Sequence, residues 1–103
     1  MAKIPTRTTD EIFMNELKEE FMQSVSQNLR DLDKLFGEEK YEEIAKIAHD
    51  IKGTSGVFGM DEGTEIAAEL QYAARDRDAD KTETLIRRLK AYMMEQIDKD
   101  AKK

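Results

Sequence analysis

Apolar residues recur along this chain in steps of three and four, and no stretch rich in Val, Ile and Thr alternates with polar residues as a half-buried strand would. That pattern excludes most folds. Steps of three and four put a stripe along one face of a helix, and such a stripe is stable only when it is packed against others. Met14, Leu17, Phe21, Val25, Leu29, Leu32, Leu35 and Phe36 make the first stripe. Tyr41, Ile44, Ala45, Ala48, Ile51 and Ser55 make the second, with Phe58 two turns beyond Ile51. The third holds Ile66, Ala67, Leu70, Ala73 and Ala74, and the fourth Leu85, Ile86, Leu89, Tyr92, Met93 and Ile97. The one proline, Pro5, precedes all four, so none is broken from within.

Helix boundaries follow from capping residues. Thr8 with Glu11 fits a capping box at the start of the first helix, and Gly37 fits its C-terminal cap. The second begins near Lys40 or Tyr41 and runs to about Phe58, ended by Gly59; the alternative is that Gly53 caps a shorter helix. Asp61 is placed to cap the third, and Asp80 with Glu83 the fourth. Short connections between long helices make neighbours antiparallel. The expected fold is all-α, an antiparallel up-down four-helix bundle. Ile12 and Phe13 fall off the first stripe, so either an extra short N-terminal helix carries them or the end of the long helix folds over the bundle. Residues 1–8 are expected to be a flexible N-terminus, 9–98 the bundle and 99–103 a flexible charged tail.

Composition narrows the chemistry. The chain of 103 residues suits one domain. It has no cysteine and a single histidine, which leaves no basis for a disulfide or for a Cys- or His-built metal site. A net charge of -6 argues against a nucleic-acid partner. With no signal peptide and no apolar run near the length of a span, a soluble, cytoplasmic monomer that avoids the membrane is expected.

The lone histidine stands in Ala48-His49-Asp50-Ile51-Lys52-Gly53-Thr54-Ser55-Gly56. Gly53 to Gly56 in helical conformation cost roughly 3 kcal/mol relative to four alanines, so the weakest helical segment sits beside the one imidazole. On a helical wheel His49 lies roughly 120° from the centre of the core face. Its helical neighbours are Ala45, Lys46, Lys52, Gly53 and, two turns on, Gly56. The small ones leave room for a flat surface to approach the ring, and the lysines supply positive charge on an acidic protein. No Cys or carboxylate pair stands nearby in sequence as a hydrolytic partner. On the third helix Gln71 and Arg75 share a flank and would border the imidazole if that flank faces it.

These residues resemble the histidine-containing phosphotransfer (HPt) family of bacterial two-component signalling, whose motif is a helical His-x-x-Lys-Gly with Ala before it and small residues after it. The likeness covers helix order and loop lengths from about Asp10 to Ile97. It implies that His49 carries a phosphoryl group exchanged with an aspartate of a receiver domain, fed by a histidine kinase or hybrid kinase. It implies that Lys52 supports the phosphoryl group and that Gly53 leaves room for the incoming domain. It also implies that Gln71 bonds the other ring nitrogen through its carbonyl, and that Arg75 matches a place that is basic in some members. Lys46 would help offset the added charge, and Phe13 with Ile12 would form a docking patch. Mg²⁺ would come with the receiver, no cofactor being held by this chain, which would be a phosphocarrier without kinase activity of its own.

Three alternatives remain at this point. One is the amino-terminal phosphotransfer domain of a chemotaxis-type kinase, to which Gly56-Val57-Phe58-Gly59 is similar, although a Glu is common there at the place of Gln71. Another is the dimerisation helix of a sensor kinase, which usually has a Pro where Thr54 stands. The last is a non-catalytic helical adaptor with an ordinary surface histidine.

Overall fold

The structure, a computed structural model, describes residues 9–101. It holds four helices: α1 (Thr9–Gly37), α2 (Tyr41–Val57), α3 (Asp61–Arg75) and α4 (Ala79–Ala101). Each packs on its neighbours in a closed ring, α1 against α2 and α4, and α3 against α2 and α4, while the diagonal pairs stay apart. This is the up-down four-helix bundle expected from the stripes.

The inward faces are the striped ones. Tyr41, Ile44, Ala45, Ala48, Ile51 and Ser55 are the buried residues of α2. Val25, Leu29, Leu32, Ile66, Leu70, Ala74, Leu85, Ile86, Leu89 and Met93 complete the centre. Met22 and Met60 are buried as well, although neither belongs to a stripe. At the other extreme Met14, placed on the first stripe, is exposed.

Three connections of identical design join the helices. After α1 the amide of Lys40 bonds Leu35 O and that of Glu39 bonds Phe36 O. After α2 Met60 bonds Ser55 O and Gly59 bonds Gly56 O; after α3 Asp78 bonds Ala73 O and Arg77 bonds Ala74 O. Each is a Schellman cap, which needs one residue in the left-handed region. Those residues are Glu39 at φ 58°, Gly59 at φ 69° and Arg77 at φ 56°. Two of the three are not glycine, at a cost of about 1 kcal/mol each. The last residue of every cap is also the N-cap of the next helix: the carbonyls of Lys40, Met60 and Asp78 accept from Ile44, Thr64 and Thr82.

Several boundaries differ from expectation for this reason. Gly37 is the last helical residue of α1, and Glu39 takes the left-handed place. Met60, not Asp61, precedes α3. At α4 the capping carboxylate is Asp78, whose Oδ1 accepts from the Lys81 amide at 3.1 Å, rather than Asp80. The helix that carries His49 runs to Val57, so Gly53 does not cap it. Ile12 and Phe13 sit on α1 itself, half or more exposed, so among the described residues no extra helix carries them and they do not fold over the bundle. Helix α4 continues past 98 to Ala101. The Thr8 half of the first capping box and the expected flexible N-terminus, 1–8, lie outside the described residues. No helix among those described is long and apolar enough to cross a membrane.

Candidate functional site

His49 stands at the middle of α2, at the edge of its buried face, and is exposed. Helix α3 returns beside it after the short turn at Phe58 to Met60 and packs on α2. That brings Gln71 against the ring: its Nε2 lies 3.4 Å from His49 Nδ1. Gln71 is 96% buried, at 4% exposure, so this amide is held by the core side of α3. The imidazole thus has one nitrogen, Nδ1, against a buried amide, while the residue as a whole is exposed. In the orientation present the amide N–H donates to Nδ1, where the sequence led to the amide carbonyl accepting from Nδ1–H. The two ends of an amide are nearly equal in size, so a half-turn about its last torsion exchanges them without steric cost.

The ring lies on a ridge between two grooves. One, between α1 and α2, has a volume of about 750 Å³ and is bordered by Leu17, Phe21, His49, Gly53, Val57 and Phe58 among others. Its floor is firm, because Phe21 and Phe58 stack with centroids 5.5 Å apart. The other, between α2 and α3, measures about 620 Å³ and is bordered by Tyr41, Lys46, His49, Gln71, Arg75 and Arg77, with Ala45 among the rest. The first groove is apolar at its base; the second is rich in cations.

The glycines divide by cause. Gly59 serves the left-handed cap. Gly63 serves packing: a Cβ there would come within 2.9 Å of Tyr92 Cε2 and 3.0 Å of Met93 Cε. A Cβ on Gly53 would meet nothing within 4 Å, and one on Gly56 only Thr64 Oγ1 at 3.9 Å. Neither is required by this chain's own fold, yet each weakens the helix by about 1 kcal/mol relative to alanine. Gly53 lies one turn from His49 and opens on the α1–α2 groove.

The remaining candidates are scattered more widely. Lys52 is half-buried one turn beyond His49 and borders neither groove. Lys46 and Arg75 are exposed on the α2–α3 groove. Lys46, Lys52 and Arg75 make no ion pair among the described residues, whereas Arg87, Arg88, Lys90 and Lys99 on α4 pair with Glu83, Glu69, Asp33 and Glu95. Phe13, 57% exposed, borders neither groove. The exposed apolar residue that does stand there is Val57, at 65% exposure. Its signal was in the spacing: 49, 53 and 57 fall on one stripe of α2. No group of acidic or His side chains among the described residues is arranged to hold a metal ion.

Comparison with known families decides the assignment. The model of the Hpt domain matches residues 16–100. The chain belongs to the Hpt domain family. The match spans α2 and α3 entire, with both grooves. No curated protein and no solved structure is matched by the chain. Hpt membership supports a histidine phosphotransfer role in a phosphorelay, where such domains work with kinases and receivers.

Proposed function

We propose that this Hpt domain is a phosphocarrier in which His49 takes a phosphoryl group from, and returns it to, an aspartate of a receiver domain, a histidine kinase or hybrid kinase standing upstream. Such exchange places it in the cytoplasm, where those partners present their phosphorylated residues. One observation carries this assignment: an exposed imidazole with Nδ1 against a buried amide, beside a glycine whose missing side chain the fold does not need.

Transfer onto His49 balances without an external base. With the Gln71 carbonyl turned toward the ring, Nδ1–H donates to Oε1 and the Nε2 lone pair is free. That lone pair attacks phosphorus in line. The N–P bond forms as the P–O bond to the aspartate breaks, and the bond electrons leave as carboxylate. The ring gains positive charge, which the Nδ1–H···Oε1 hydrogen bond stabilises. The added phosphoryl group brings about two negative charges. Lys52, one turn away, and Lys46 and Arg75 on the groove wall are free to offset them. The bundle positions the nucleophile; Mg²⁺ and the acyl phosphate belong to the partner.

Phosphotransfer labelling tests this assignment. A phosphorylated receiver, or a cognate kinase, should label the wild-type chain and fail to label His49→Ala, with both proteins equally helical by circular dichroism. Equal labelling of the two would reject it.

A further inference from the structure

Beyond the ring, the α2–α3 groove runs on to Arg77, a residue nothing in the Hpt motif mentions. Its guanidinium lies 5.8 Å from the centre of the Tyr41 ring. Tyr41 also packs edge to face with Phe36, at 6.4 Å and 89°. A guanidinium seated on an aromatic face is preorganised, and its N–H edges stay open to a carboxylate. No carboxylate among the described residues takes them. Asp76 and Asp78 flank it in sequence and Glu42 borders the same groove, yet Arg77 forms no ion pair among the described residues. Asp78 is committed to capping α4.

Three cations without an ion pair among the described residues, Lys46, Arg75 and Arg77, therefore face one groove against two carboxylates, Glu42 and Asp50, so the groove carries a net positive charge on a chain whose net charge is -6. Complementarity calls for an acidic visitor. We propose that Arg77, on its Tyr41 seat, is a second anchoring point for the acidic face of the protein that exchanges its phosphoryl group with His49. Tyr41 and His49 are eight residues apart on α2, so the anchor lies about 12 Å along the helix from the reacting nitrogen. It fixes the visitor's angle over the ring without touching the phosphoryl group. This inference rests on the phosphotransfer assignment above.

The backbone supplies an unusually clean test. Arg77 occupies a left-handed position, where glycine is at ease. Arg77→Gly therefore removes the cation without harming the turn, and its melting temperature should equal or exceed that of the wild type. Glu39→Gly makes the same backbone change in the equivalent turn after α1, and Glu39 borders neither groove at His49. Transfer kinetics are measured with a phosphorylated receiver domain that labels the wild-type chain, at two or more salt concentrations. Arg77→Gly should raise KM about fivefold with kcat held, and flatten the salt dependence of kcat/KM. Arg77→Lys should recover part of the loss, and Glu39→Gly should match the wild type. Wild-type KM and salt slope in Arg77→Gly, or an equal KM rise in Glu39→Gly, would overturn the anchor. In either case His49→Ala, read in the same assay, reports separately on the phosphotransfer assignment: labelling of that variant ends both.

Discussion

Gln71 Nε2 and His49 Nδ1 meet at 3.4 Å across 22 residues of sequence. The contact joins a buried amide to an exposed ring, so the ring's orientation is set from the interior. Substituting Gln71 separates what the amide does. Gln71→Glu keeps an acceptor and loses the donor, whereas Gln71→Ala loses both. If Nδ1–H must be accepted during transfer, Gln71→Ala should be slower by roughly tenfold, the worth of one hydrogen bond at a positioned group. Gln71→Glu should stay close to wild type. Single-turnover transfer rates decide, and nitrogen NMR of the ring reads the tautomer. A rate for the Glu variant as low as for the Ala variant would show that donation is what counts.

Gly53 offers a separation of stability from access. Because a Cβ there meets nothing, Gly53→Ala should stabilise the protein by about 1 kcal/mol in urea unfolding. Gly53→Leu should be at least as helical as wild type, yet should slow transfer by an order of magnitude or so through bulk beside the ring. Unslowed transfer in the leucine variant would mean that visitors do not cross this face.

Gly63 is the opposite case. Gly63→Ala drives a methyl into Tyr92, Met93 and Ser55 Oγ at 3.2 Å or less. Overpacking of this kind costs about 1–3 kcal/mol, so the thermal midpoint should fall, while transfer by the folded fraction survives. Ser55 Oγ is buried and finds no hydrogen-bond partner among the described residues. Ser55→Ala removes that stranded hydroxyl and should be neutral or stabilising by about 1 kcal/mol. Calorimetry of both variants and of their combination measures the coupling.

Tyr92 predicts alkaline behaviour. Burial, aided by the nearby Glu62 carboxylate, raises its pKa above the ordinary phenolic value of 10. The neutral form is thus favoured in the fold over the unfolded chain. Stability contributed this way is complete below pH 10 and is lost as pH rises through the folded pKa. Urea midpoints should fall above that pH more steeply in wild type than in Tyr92→Phe. Parallel curves would exclude the tyrosine as the cause.

Most of the inward face was legible because a small bundle leaves periodicity little competition. Every buried residue of α2 fell on its stripe. What escaped lay where sequence carries no signal. Left-handed Glu39 and Arg77 look like ordinary surface residues, and only the cap hydrogen bonds reveal them. Asp76, Asp78 and Asp80 offer three capping candidates, and the turn selects the middle one. Gln71 stood on the flank that the core stripe of the third helix left, but the bond to His49 lets it be buried. Which flank of α3 meets α2 depends on the handedness of a turn, which no periodicity encodes. Phe13 was favoured for standing off the core stripe, yet it borders neither groove at the ring.

The spliced turns have one more consequence. Since a single residue both closes α2's cap and opens α3, there is no slack between the two helices to absorb a change in length. One amino acid added between Asp61 and Leu70 would rotate everything after it by about 100°, swinging the amide away from the imidazole and prising the Leu70 side chain out of its socket. The interval between donor and ring is therefore geared to the backbone, and it cannot drift by a single tooth.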